Sequence, residues 1–265
     1  LAVILALTLF LLYCAGAWAM LRSVNQRRIE PIAWAVSLAA IFAHSEAIVH
    51  MMRTMVPFSI GLLEAVSLLA WTLAVLACLI CIDRQNRALG SILLLSAALG
   101  ASVTGMGHSY AEEAQIGWAL TAHILLSMGA AALLFAAAVT AVLLVILDRR
   151  LRLRRIADLP NTLPPLDALE GVMFRLIGAG FAMLTLALFT GFVFVSNLFV
   201  QHLFQKTVLS ILAWLLFGVL LIGRARYGWR GRSAVGWTLS GFGVLALAYF
   251  GSKFVLEYVL GRHWG

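Results

Sequence analysis

Charge is scarce in this sequence: charged residues fill 11% of 265 positions, and only 11 are acidic. A soluble protein could not bury 63% hydrophobic residues at a mean hydropathy of +1.01 and stay in water, so lipid is the main solvent. Cysteine is also rare. Cys14, Cys78 and Cys81 provide no disulfide framework, and the Cys78-x-x-Cys81 pair ends a hydrophobic helix, where buried apolar thiols are expected rather than a redox couple. No hydrolytic triad, phosphate-cradling glycine loop or zinc-protease motif is present, which argues against an enzyme in its own right. The net charge of +8 does not mark a nucleic-acid surface, because the basic residues fall between apolar runs and line no single stripe.

Long apolar runs are abundant. They predict an all-α, polytopic transmembrane bundle of about eight spans in a single domain, 1–265, with spans near 2–21, 32–51, 58–82, 88–106, 117–147, 172–196, 207–223 and 234–260. The seventh is short, and the fifth is long enough to project beyond the bilayer. The first run, Leu1 to Met20, lacks a basic n-region and is followed by Arg22, Arg27 and Arg28; it reads as a mature span rather than a signal peptide.

Fifteen of the 19 Lys and Arg residues fall in alternate connections, within 22–31, 83–87, 148–175 and 223–233. Arg53, Lys206, Lys253 and Arg262 fall in the other set. The asymmetry predicts that the first set is cytoplasmic and that both termini are outer. Pro160, Pro164 and Pro165 break the chain between spans five and six. Arg149, Arg150, Arg152, Arg154 and Arg155 precede them and read as topology and headgroup contacts, with membrane lipid as the partner. Gly228-Trp229-Arg230-Gly231-Arg232 reads as a compact inner turn, with Trp229 and Trp237 as interfacial anchors.

This topology gathers His44, His50, His108, His123, His202 and His263 on the outer half. His44 and His123 lie inside spans two and five, seven and six residues from their outer ends, or roughly 10 Å deep at 1.5 Å per residue. Two readings are open: axial ligands to a haem or another metal, or hydrogen bonds across helix interfaces. Glu46 and Glu64 are the acids within spans two and three, and each needs a partner or water. Asn197, Gln201, His202 and Lys206 form a polar outer connection with too few acids for a hard-cation cage; Lys206 and Arg53 are candidate cations for a propionate or another anion.

The residues also resemble a family. TGFVFVSNLFVQHLFQKTVLSILAW, beginning at Thr190, then GWRGR and LAYFGSKFVLE, are similar to the CcsA-type cytochrome c assembly proteins, within them the short YpjD-like branch of bacterial inner-membrane proteins. FAHSEA around His44 and TAHILLS around His123 extend the similarity over nearly the whole chain. The resemblance implies haem, of b type, handled at the outer face of a bacterial inner membrane for cytochrome c assembly. It also implies that His123 matches a haem-ligating histidine and that His44 matches an early histidine of the short branch with no role assigned by the match; for a haem-handling factor, His44 or His202 is the second candidate ligand and Lys206 a candidate cation. Other cytochrome c biogenesis or transporter subunits are the implied partners. The larger relatives carry a tryptophan-rich loop between the spans matching six and seven, where this chain reads NLFVQHLFQKTV, and two of their histidines have no counterpart here. The alternative is a non-catalytic membrane subunit that supports a transporter or assembly complex.

Overall fold

The computed structural model describes residues 2–54, 62–106, 118–153, 165–194 and 201–251. Every regular element among them is helical: α1 (Ala2–Ser23), α2 (Glu30–Thr54), α3 (Leu62–Cys81), α4 (Arg87–Ala101), α5 (Trp118–Arg152), α6 (Leu166–Phe194), α7 (Gln201–Tyr227) and α8 (Gly231–Ala246), the last running into a π turn, Leu247–Gly251. Six of these helices are long and apolar enough to cross a membrane by length and composition. α4 and α8 are the exceptions. At 15 residues α4 covers about 22 Å, and the chain then leaves the helix through a turn in which Gly105 takes a positive φ of 77°. Large apolar side chains point away from the protein along the helices, Phe192 at 73% exposure and Phe42 and Leu99 at 68%, which suits lipid as the solvent.

The helix ends depart from the hydropathy boundaries in an instructive way. α7, expected to be short, runs for 27 residues, because neither the polar start Gln201–Lys206 nor the basic end Arg224–Tyr227 interrupts the backbone hydrogen-bond ladder. Gln201, His202 and Lys206 therefore belong to the first turns of a helix rather than to a connection. α2 likewise continues past its apolar run to Thr54.

The chain divides into two compact units, the first holding α1 to α4 and the second α5 to α8. In the first, α1 packs on α2 and α4, and α3 packs on α4. Small residues permit the close approach: Gly90 leaves no room for a side chain beside the Cys81 sulfur, and Gly100 lies against Ala70. Cys78 and Cys81 are free and buried, as their apolar setting requires. Arg87, only 3% exposed, ties one end of this unit together. Its guanidinium pairs with Glu30 and donates to Ser23 Oγ at 3.2 Å and to the Cys81 carbonyl at 3.3 Å. From sequence Arg87 counts only as a topology charge; in the fold it is a buried tie.

In the second unit α5 and α6 share the most extensive interface. The Ala-rich middle of α5 is flat, Gly129 receives Met183, and Gly180 receives Leu134. α8 packs on α5 through Phe135 and Phe242, whose rings meet edge-on at 5.5 Å, and Phe217 of α7 fills the space over Gly241. The α7–α8 reversal is built on Gly228 and Gly231, both with positive φ. Glu170 of α6 secures it, accepting from Arg224 Nη1 at 3.0 Å and from the Gly231 amide at 3.3 Å. Trp229 stacks on Trp237 at 5.6 Å and rests on Gly223, so the expected compact turn is present.

Candidate functional site

His44 lies inside a helix of the first unit and His123 inside a helix of the second, and their surroundings differ. His44 sits on α2 at 0% exposure. Its Nδ1 lies 3.1 Å from the Tyr13 hydroxyl, and its Nε2 lies 3.0 Å from Ser67 Oγ and 3.2 Å from Thr104 Oγ1. The two hydroxyls are 2.8 Å apart. Tyr13 comes from α1, Ser67 from α3 and Thr104 from the turn after α4, so one imidazole joins all four parts of the unit. The arrangement that gives the phenol proton an acceptor has Tyr13 donating to Nδ1. In that arrangement the imidazole proton is on Nε2, directed at the hydroxyls, and both ring nitrogens are engaged in hydrogen bonds.

His123 is built differently. It lies near the start of α5, partly buried, with its Nδ1 3.1 Å from Thr190 Oγ1 on α6. Gly191 lies directly beneath the ring: a methyl group there would stand 3.0 Å from His123 Cε1, so the missing side chain is what allows the imidazole to lie on α6. The threonine also bears on the tautomer. Its single proton is directed to the helix carbonyls of Leu186 and Ala187, at 2.9 and 3.0 Å, so toward the imidazole it accepts. With the threonine donating to those carbonyls, His123 carries its proton on Nδ1, and Nε2 keeps its lone pair. An imidazole in that tautomer, its other nitrogen held by an outer hydrogen bond, has Nε2 available to a ligand.

The remaining candidates are dispersed. Gln201, His202 and Lys206 occupy the first turns of α7. Glu46 is exposed on α2, and His50 lies exposed near the end of that helix with an interaction of its own. Glu64 is 5% exposed in the first turn of α3, with Oε1 lacking a hydrogen-bond partner. Asn197, His108 and His263 lie outside the described residues, as does the Arg53 side chain. Among the described residues no group of three or more His, Cys, Asp or Glu is placed to hold a metal ion. An ion at His123 would therefore have to bring most of its own ligands, as a haem iron does.

Sequence reasoning singled out both histidines but missed their partners. Ser67, Thr104 and Thr190 are hydroxyls within or beside apolar runs, and their spacing from the histidines in sequence, from 23 to 67 positions, carries no signal.

The helical membrane fold finds its class in sequence comparison. A family profile described as Cytochrome C assembly protein matches residues 59–260, and the chain belongs to that family. Among curated proteins it is similar to the Inner membrane protein YpjD of Escherichia coli strain K12, 37% identical over 159 residues that make up 60% of each chain. It is also similar to the Cytochrome c biogenesis protein CcsA of Rippkaea orientalis, 31% identical over 112 residues, covering 40% of this chain and 33% of that protein. The CcsA of Synechococcus elongatus is 32% identical over 94 residues, 35% of this chain and 29% of that one. The chain thus spans from about three fifths to less than a third of the length of these relatives. No solved structure matches.

Proposed function

We propose that this protein is a haem-handling factor of cytochrome c assembly in a bacterial inner membrane, holding or presenting haem at the outer face through His123. The observation that carries the reading is the 3.1 Å contact of His123 Nδ1 with Thr190 Oγ1, whose own proton has helix carbonyls within reach; in that arrangement Thr190 holds Nδ1–H and the Nε2 lone pair is uncommitted to a proton. The family and the names of the YpjD and CcsA relatives support the same assignment.

Orientation belongs to the proposal as well. The basic connections, with fifteen of the 19 Lys and Arg residues, are cytoplasmic, and both termini are outer. In this topology the start of α5 and the start of α7 face outward, so His202 and Lys206 stand on the same side as His123. His202 is the candidate for a second axial position and Lys206 for a propionate counter-charge.

The residues present fit a haem at His123 and do not fit one at His44, where the hydroxyls of Tyr13, Ser67 and Thr104 engage both ring nitrogens. When bound, haem supplies an iron that is already ligated in its plane, so the protein need provide only axial donors and an apolar wall. Here α5 and α6 provide the wall, Thr190 fixes the donor's tautomer and Gly191 sets its ring against α6. Purified protein should show a Soret band that weakens in His123→Ala. Protein from haem-replete cells that is haem-free and takes up none on reconstitution would sink the proposal.

A second reading, a membrane subunit without haem chemistry that supports a transporter or assembly complex, draws on the saturated state of His44 and on the absence of tryptophan in 197–208. Stoichiometric co-purification with a partner, together with normal cytochrome c levels in a deletion strain, would select it.

A further inference from the structure

The buried face of α3 is a stripe: Glu64, Ser67, Ala70, Ala74, Ala77 and Cys81 recur every three or four residues and are turned toward α4. The antiparallel register of the two helices is fixed at three levels, Cys81 against Gly90, Ala70 against Gly100, and Ser67 against Thr104, whose hydroxyls are 2.8 Å apart. One turn further along the stripe stands Glu64. The register sets it opposite the end of the turn 102–106, where α4 has stopped and Gly105 takes its positive φ.

α4 therefore ends early. Thr104 meets Ser67 five residues inside α3, roughly 8 Å along the axis from Leu62, the first residue of that helix. The carbonyl end of α4, the negative pole of its dipole, comes to rest beside an acid. Glu64 is 5% exposed and its Oε1 has no hydrogen-bond partner. The guanidinium groups of Arg84 and Arg87 are held at the opposite end of the unit, on Val24 and Glu30. A buried acid without a hydrogen bond or a counter-charge is costly, and a helix carbonyl end beside it raises the cost. Ser67 and Thr104 still have lone pairs to offer once the His44 ring nitrogen and their mutual bond are counted. Carboxylate, hydroxyl and helix-end carbonyl oxygens form a hard donor set with one full negative charge. Such a set suits an alkali cation rather than a transition metal, and interrupted membrane helices bind Na+ in this way, at their carbonyl ends.

We propose that Glu64, Ser67 and Thr104 bind one small alkali cation at the carbonyl end of α4. The site lies wholly in the first unit and is independent of haem at His123. The full-length protein in detergent is titrated with NaCl, ionic strength being held constant with choline chloride, whose cation is too bulky for the site. Two readouts are taken: radiolabelled Na+ bound per chain at equilibrium, and the thermal midpoint followed by a thiol-reactive dye at Cys78 and Cys81. The unsubstituted protein binds about one Na+ per chain, and its midpoint rises saturably with Na+, as for any ligand that binds only the folded state. Glu64→Gln, which keeps the shape of the side chain, loses both responses. Ser67→Ala weakens Na+ binding about tenfold, whereas Tyr13→Phe, which breaks the far side of the His44 cluster, leaves it unchanged. Identical midpoints in NaCl and choline chloride, or Na+ binding that persists in Glu64→Gln, overturns the proposal. Equal weakening by Ser67→Ala and Tyr13→Phe overturns it too, since that marks a general loosening of the unit rather than a lost ligand.

Discussion

Replacing His44 by alanine should cost stability and spare haem. The imidazole has 0% exposure and links Tyr13, Ser67 and Thr104. When it is removed, Ser67 and Thr104 keep each other at 2.8 Å, so the Tyr13 phenol is the group left without its partner. An orphaned buried hydroxyl costs about 1–3 kcal/mol, and the cavity adds to it at about 24 cal/mol per Å³. Hydrogen bonds inside membrane proteins sit at the low end of such values, about 0.6 kcal/mol on average and about 1.7 at most. The sum is a destabilisation of about 2–4 kcal/mol. The assay is thermal unfolding in detergent followed by a thiol-reactive dye, since Cys78 and Cys81 are buried until the first unit opens. Tyr13→Phe, with the double variant, completes a cycle in which the coupling should be about 0.6–1.7 kcal/mol. Haem content per folded protein should match that of the unsubstituted chain. A His44→Ala protein that loses its Soret band at unchanged stability would refute the argument from saturated ring nitrogens.

Thr190→Val keeps the shape of α6 but removes the acceptor for His123 Nδ1–H, so haem affinity should fall roughly 10–100-fold, as for other outer-shell partners, and Thr190→Ser should restore it. Gly191→Ala places a methyl 3.0 Å from the imidazole, and should shift the Soret maximum or lower haem occupancy with little change in thermal stability. Glu170→Gln weakens the hydrogen bonds from Arg224 and the Gly231 amide; because Arg224 is partly exposed, about 1 kcal/mol is expected, read as earlier unfolding of the α7–α8 hairpin by hydrogen exchange. Glu30→Gln leaves the buried Arg87 guanidinium without its counter-charge and should destabilise the first unit, whereas a combined Glu30→Gln and Arg87→Leu variant should recover part of the loss.

Much of the fold was legible because its signal is local. The apolar runs marked the eight described helices, and the paired glycines of GWRGR, with Trp229 and Trp237, marked the α7–α8 reversal. Helix ends were less legible. Hydropathy records where lipid ends, while the hydrogen-bond ladder continues until a proline, glycine or competing side chain stops it; Arg224 and Arg226 therefore extend α7 beyond its apolar run. The site was half legible. Histidine inside an apolar run is conspicuous, so His44 and His123 stood out. Their difference lies in Thr190, Gly191, Ser67 and Thr104, ordinary residues that gain meaning only when helices distant in sequence are packed together. Arg87 was read as surface charge for the same reason, since only the packing of α4 against its neighbours buries it.

The most direct test of the account is the absorption spectrum of detergent-purified protein from haem-replete cells, measured beside that of His123→Ala at equal protein concentration. The account predicts a Soret band in the unsubstituted chain and its weakening or loss in the variant, with both proteins equally folded. A Soret band of equal intensity and position in the two would contradict it.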